Sequence, residues 1–449
     1  MNFSDLWDIL SLRYYNTRLV VLSTAILGIA AGLVGSFLLL RKRSLMGDAL
    51  SHATLPGIAL TFGILTSLGL NGKSLPLLLT GATISGVLGV LLMLAIQRTT
   101  RLRDDVSMGL VLSVFFGAGI AILTVVQKMP GASAAGLESF IYGQPASLIW
   151  NDFLLICGVC LAIIAATVLL FKEFTLLCFD SHFANSQGWP ALALDIGLLA
   201  LVTAITVIGL QSVGLILIIA FLITPPTTAR FWTNRLSHMA LLSGVFGALS
   251  GWLGATISAL YSDLPAGALI VLMAAALFLF SMLFAPARGV LPRTLRHRRL
   301  RQKVARQHVL RAAYEILESS QENEEESTPF IDNRPFSFQA LLDKRTWTRS
   351  QLQKTLRSEQ RLEHLTRHSD GTITLSEAGF GEAARVTRNH RLWEAYLVTH
   401  AEIAPSHVDR DADMVEHVLE AELVRELERV LRDRDAWIPM PPSPHKITS

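Results

Sequence analysis

Residues 19–285 are a series of long apolar runs, and that stretch limits what this chain can fold into. Divided at its polar interruptions, it yields segments at 19–40, 49–68, 75–96, 107–127, 150–171, 191–210, 212–229, 239–260 and 265–285. A helix needs roughly 20 apolar residues, at about 1.5 Å each, to cross a bilayer. Ile223-Thr224-Pro225-Pro226 interrupts the segment 212–229, which reads as short or broken. The expectation is therefore an all-α polytopic bundle of eight or nine spans. Small residues such as Gly28, Gly32 and Gly35, or Gly81, Ser85 and Gly89, suit close helix packing.

Charge is concentrated elsewhere. From Arg288 onward the chain is dense in Arg, Glu, Asp and His, and nine of its twelve histidines follow residue 286. This predicts a membrane domain at 1–286 and a soluble part after it. Arg and Lys cluster at 41–43, 98–103, 230–235 and 288–306, beside the apolar spans. With nine crossings all these patches share one side, the cytoplasmic one, and so does the soluble part. Residues 1–18 carry no clear cleavable signal. Cys157, Cys160 and Cys178 form no extracellular framework, and no second thiolate pair exists to complete a tetrahedral metal site.

The polar residues inside the membrane half are the informative ones. Asp48 and His52 stand four residues apart in Gly47-Asp48-Ala49-Leu50-Ser51-His52-Ala53, and so share one helical face. Exposed to lipid they would be costly, so they are expected to face a protein interior or an ion path. Carboxylate plus imidazole suits Mn²⁺, Fe²⁺ or Zn²⁺; a hydrogen bond that packs helices is the competing reading. Residues 172–190 form a polar interruption with a short amphipathic stretch, either an interfacial loop or a docking element.

Several stretches in fixed order carry a resemblance. They are the Asp48 segment 47–57, Asp104-Asp105-Val106-Ser107-Met108-Gly109, Lys172-Glu173-Phe174 through Phe179-Asp180, Ile223-Thr224-Pro225-Pro226-Thr227-Thr228-Ala229, and Asp263-Leu264-Pro265-Ala266-Gly267-Ala268. Residues 19–286 resemble the permease subunit of zinc, manganese and iron ABC importers. The resemblance implies a bacterial cytoplasmic (inner) membrane protein in which Asp48 and His52 serve metal passage or gating. It implies a cytoplasmic ABC ATPase docking at Lys172, Glu173, Phe179 and Asp180, an extracytoplasmic metal-binding protein, and a second permease copy or paralogue. The chain has no Walker A sequence, so ATP hydrolysis is expected on the separate ATPase and no catalytic residue is expected here.

The soluble part begins with a linker at 287–335, basic and then acidic, which includes a first helix. The acidic stretch from Glu322 to Pro329 is a plausible cleavage site. Helices near 338–342 and 348–362 precede a hairpin turning at Asp370-Gly371, so 336–380 reads as a winged helix-turn-helix. Arg345, Arg349, Lys354 and Arg357 are its candidate DNA contacts, and a solvated charged face explains them equally well. The tail 435–449 is proline-rich and expected to be unstructured.

Leu375-Ser376-Glu377-Ala378-Gly379, His390 through Leu397, and Glu416 through Glu422 resemble iron- and manganese-dependent (DtxR-type) repressors over about 303–434. The resemblance makes 381–434 a helical metal-binding and dimerisation region, with His390, Glu394 and His417 as ligands. His308 stands where a first-helix ligand belongs. Ala421, Val424 and Arg425 occupy the remaining ligand positions, and none is a good ligand. The expected function is an ATP-driven importer permease for a divalent transition metal, manganese or iron favoured, with a metal-sensing or regulatory domain. Zinc import, or a membrane-tethered or proteolytically released repressor acting on operator DNA, are the alternatives.

Overall fold

Each apolar run folds as a helix, and glycines decide how closely the helices meet. The computed structural model describes residues 14–43, 45–69, 75–129, 148–261, 264–322 and 334–400, with 424–426 and 429. His417, the segment 401–423 and the tail 435–449 lie outside these residues, as do most of the acidic stretch and Asp263. The chain divides into two units, Met1–Arg293 and Thr294–Ser449.

The first unit contains α1 (Tyr15–Leu40), α2 (Met46–Ser67), α3 (Leu75–Thr99), α4 (Asp104–Gln127) and α5 (Trp150–Leu169). Two short helices follow, α6 (Phe171–Phe179) and α7 (Ser181–Ser186). The unit continues with α8 (Ala191–Val213), α9 (Leu215–Arg230), α10 (Leu236–Leu260) and α11 (Ala266–Phe284). Among the described residues, eight helices are long and apolar enough to cross a membrane. α9 is the exception. Its 16 residues reach about 24 Å, short of a hydrocarbon core of about 30 Å. Pro225 and Pro226 lie inside it, which accounts for the interruption seen in sequence. Only Gly214 separates α8 from α9, at φ 82°, a left-handed conformation that glycine alone adopts without strain.

α1 and α10 form the tightest pair. Thr24 meets Gly251, Gly28 meets Gly247 and Gly32 meets Ser243, so the helices run antiparallel. Ser243 Oγ donates to the Gly32 carbonyl at 2.6 Å. A Cβ on Gly28 would come within 2.4 Å of the Gly247 carbonyl oxygen. Small residues allow this approach, which dispersion then rewards.

The second unit is built on α12 (Val290–Glu322), whose first residues belong to the first unit. Then come β1 (Phe336–Ser337), α13 (Phe338–Lys344), α14 (Arg349–Arg361), β2 (Leu365–Arg367), β3 (Thr372–Leu375) and α15 (Glu377–His400). The sheet order is β1-β3-β2, all antiparallel, with Phe336 opposite Ile373 and Leu365 opposite Leu375. Gly371 closes the β2–β3 hairpin at φ 86°. Asp370 accepts from the Thr372 N–H and hydroxyl, and these bonds hold its carboxyl below the ordinary value. Val309, Leu310, Ala313 and Leu317 of α12 bury against Leu341, Leu352, Leu356, Ile373, Leu375 and Ala383. Helix, strand, helix, helix and hairpin make a winged helix-turn-helix.

Gly28→Val is expected to force α1 and α10 apart and to cost about 1–3 kcal/mol of packing. A lowered thermal unfolding midpoint of the detergent-solubilised full chain, against wild type, measures it.

Candidate functional site

Asp48 falls in the first turn of α2, where the positive end of the helix dipole favours a carboxylate. The helix therefore begins earlier than the apolar run suggested. His52 is one turn on, and its Nε2 lies 3.3 Å from Asp48 Oδ1. The two side chains are 31% and 20% exposed, so the pair opens outward from the unit rather than being sealed within it. The edge of Phe116, on α4, packs against the His52 ring with centroids 4.8 Å apart. His52 Nδ1 is buried and makes no hydrogen bond among the described residues, a costly state for an imidazole nitrogen. Among the described residues, no three His, Cys, Asp or Glu side chains gather to hold a metal ion. The pair thus supplies two donors and leaves the rest of an ion's shell to water or to another chain.

A second polar cluster escaped sequence reasoning. Asp195, the single acidic residue of the 191–210 run, is buried in α8. Arg43 Nη1 donates to both its carboxylate oxygens, at 3.0 and 2.8 Å. Arg41 Nη2 adds a bond to Oδ1 at 3.0 Å. Arg43 Nε also reaches Asp104 Oδ2, 3.2 Å away in the first turn of α4. Burial lowers the Arg43 pKa, but Asp195 and then Asp104 outweigh it and hold it above the ordinary guanidinium value. The legible signal was the lone carboxylate inside an apolar span, which must find a partner.

The docking candidates occupy α6 and the start of α7. Lys172, Phe179 and Asp180 are exposed, Phe179 at 71%. Asp180 caps α7, its Oδ1 accepting from the His182 and Phe183 N–H groups at 2.9 Å. Glu173 is half-buried, and its Oε2 makes no hydrogen bond among the described residues. Phe183 is also exposed, so α6 and α7 present two aromatic rings together with charge.

In the second unit, α14 is capped by Thr348 and Gln351, which bond each other's backbone N–H. Leu352, Leu356 and Glu359 are buried, while Arg349, Lys354 and Arg357 are exposed. Arg345 stands apart from those three: it is half-buried, and its Nη1 bonds His308 Nδ1 at 2.9 Å. That contact ties α12 to the end of α13 and gives His308 a cationic neighbour. Glu359 is fully buried between Arg306 and His364.

His390 and Glu394 share one face of α15 and are both buried, with Nε2 and Oε1 3.1 Å apart. Arg311, from α12, brings its Nη1 to 2.6 Å from His390 Nδ1. Guanidinium only donates, so Nδ1 accepts and the ring proton rests on Nε2, facing Glu394. A divalent ion would have to displace either a permanent cation or that proton. Arg391, bound to Glu318, brings a second cation nearby, and its pKa is raised because the Glu318 bond and charge outweigh the lowering by burial. Among the described residues no three-ligand site forms around His390 and Glu394, and Arg311 occupies the Nδ1 edge of the ring.

Arg311→Met is expected to weaken the α12–α15 contact by about 3 kcal/mol, the upper end for a hydrogen bond to a charged group. Amide exchange across α15 should then speed up about a hundredfold. A chelator added to the wild-type chain should leave that exchange unchanged.

Comparison with known proteins places both units. Residues 13–285 match the model of the ABC 3 transport family, and residues 376–436 match the iron dependent repressor, metal binding and dimerisation domain. The manganese transport system membrane protein MntC of Bacillus subtilis is 39% identical over 410 residues, covering 91% of this chain and 90% of that protein. The zinc transport system membrane protein TroC of Treponema pallidum is 43% identical over 286 residues, 64% of this chain and 94% of that one. A solved structure, PsaBC from Streptococcus pneumoniae in complex with Fab, aligns with a TM-score of 0.55 at 34% identity, over 64% of this chain and 98% of that one. With its glycine-packed apolar helices and a repressor-type domain after them, this chain is a multi-pass membrane protein of the ABC 3 transport family.

Proposed function

We propose that this chain is the permease subunit of an ATP-driven importer of a divalent transition metal, manganese favoured, with a cytoplasmic regulatory domain. The observation that carries it is the Asp48–His52 pair, an outward-opening carboxylate and imidazole in a membrane domain of this family. Two donors hold an ion weakly, which suits passage, and a second permease copy or water completes the shell. Hard carboxylate and borderline imidazole accept Mn²⁺, Fe²⁺ and Zn²⁺ alike. Manganese is favoured because the relative that covers both units of this chain is named for it, while the zinc-named relative covers the membrane unit.

The partners follow from the same reading. An ABC ATPase docks at Lys172, Glu173, Phe179 and Asp180 on the cytoplasmic face, and hydrolysis belongs to it. An extracytoplasmic metal-binding protein delivers the ion. The basic ends at 41–43, 98–103, 230–235 and 288–306 support a bacterial inner-membrane topology with the second unit in the cytoplasm.

Residues 1–286 transport, 287–335 link, 336–380 form the winged helix and 381–434 the dimerisation region. Arg349, Lys354 and Arg357 on the exposed face of α14 favour a second role, contact with operator DNA. Arg311 at His390 favours a regulatory region whose α12–α15 packing holds without metal.

Asp48→Ala with His52→Ala is expected to abolish accumulation of one metal when manganese, iron and zinc are counted together in cells expressing the whole importer. Equal accumulation of all three at matched expression would sink the transport assignment of this pair. Separately, replacing Arg349, Lys354 and Arg357 together with alanine should abolish a gel shift on operator DNA and leave metal uptake intact. A surviving shift would place the reading surface elsewhere.

A further inference from the structure

The Arg41–Arg43–Asp195 cluster joins the two parts of the membrane unit that the proposed transport cycle must connect. At one end is α6. Arg41 Nη1 donates to the carbonyl of Leu177 at 3.2 Å, and Phe37, near the end of α1, packs against Phe171 and Phe174 with centroids 5.4 and 5.5 Å apart. At the other end is α2. The Arg43 carbonyl accepts the N–H of Met46 at 3.0 Å, and Met46 is the first residue of the helix that carries Asp48 and His52.

Between these ends, a single carboxylate holds both arginines. Asp195 is buried in α8 and takes three bonds of 2.8 to 3.0 Å from the two guanidinium groups. Arg43 extends the cluster to Asp104 on α4, and Gln97 of α3 bonds Ser107 of α4 at 3.0 Å beside it. Arg41, Arg43, Asp195 and Asp104 sum to zero charge, so losing any one leaves an uncompensated charge at the membrane end. Such a loss is costly where water is scarce, which makes the elements move together rather than separately.

We propose that Arg41, Arg43 and Asp195 act as positioning residues, a latch through which displacement of α6 by the ATPase is passed to the start of α2 and so to the Asp48–His52 pair. The inference rests on the proposed transport function. None of the three residues touches the metal. Their work is to keep the end of α1 and the start of α2 in step with α6 and α8, so that hydrolysis elsewhere changes the geometry of the pair.

The test uses the complete importer in proteoliposomes, with permease, ATPase and metal-binding protein present. It reads Mn²⁺ uptake and ATP hydrolysis in the same sample. Asp195→Asn is expected to leave hydrolysis within about twofold of wild type and to lower metal moved per ATP by about tenfold, within the usual range of coupling between sites. Arg43→Gln added to Asp195→Asn should cost no further ratio, because the two act through one contact. If Asp195→Asn fails to reach the membrane, Arg41→Met is read instead. It removes the Leu177 bond yet leaves Arg43 on Asp195, and the same fall in ratio is expected.

Uptake and hydrolysis falling in equal proportion would assign the cluster a purely structural role and overturn the latch. An unchanged ratio, or additive losses in the double variant, would overturn it as well. Absence of uptake by the wild type would overturn the transport assignment itself, an outcome distinct from normal wild-type uptake with an unaltered ratio in the variants.

Discussion

A peptide or charged group in hydrocarbon has no water to bond, and the first unit is organised around that constraint. Helices satisfy the backbone within themselves. The side chains that remain polar are then few, and each must find a protein partner. Thr24, Ser36 and Ser51 bond carbonyls of their own helix, one turn back. Ser85 and Ser243 instead bond carbonyls of a facing helix, on Ala53 and Gly32. Asp195 takes two arginines. His52 Nδ1 joins Ser23 Oγ, Arg41 Nε, Glu173 Oε2 and Thr206 Oγ1 as buried atoms of this unit without a hydrogen bond among the described residues, and it alone stands beside the half-open Asp48.

Close packing supplies the attraction that the hydrophobic effect cannot supply between helices in lipid. The α1–α10 contact depends on Gly28, Gly32, Gly247 and Gly251, where any side chain would strike backbone. α4 and α11 are largely unburied within the single chain. Their apolar surfaces suit lipid, or a second copy of the permease.

The second unit follows water-soluble rules. Its α14 has a buried stripe and a charged face, and its caps and hairpin turn use Thr348, Asp370 and Gly371 in the way local chemistry requires. Buried charge again finds a partner: Arg306 on Glu359, Arg311 on Glu315 and on the His390 ring, Arg391 on Glu318. These pairs bind α12 to α14 and to α15. Residues that look like metal ligands in sequence are here part of a network of arginines and carboxylates.

Hydropathy, charge and i,i+4 spacing are local properties, so the apolar runs, the interruption at Pro225-Pro226, the winged-helix order and the Asp48–His52 face are legible in the chain alone, whereas α9 falls short of a span and the two units divide after Arg293. The sequence also pointed to both family resemblances. Tertiary structure alone decided the partners. Asp195 is 152 positions from Arg43, and Arg311 is 79 from His390, separations over which no periodicity carries information. It also set Arg345 beside His308, 37 positions away. A charged residue announces in sequence that it needs a partner, and only the packing of helices distant in the chain names which one.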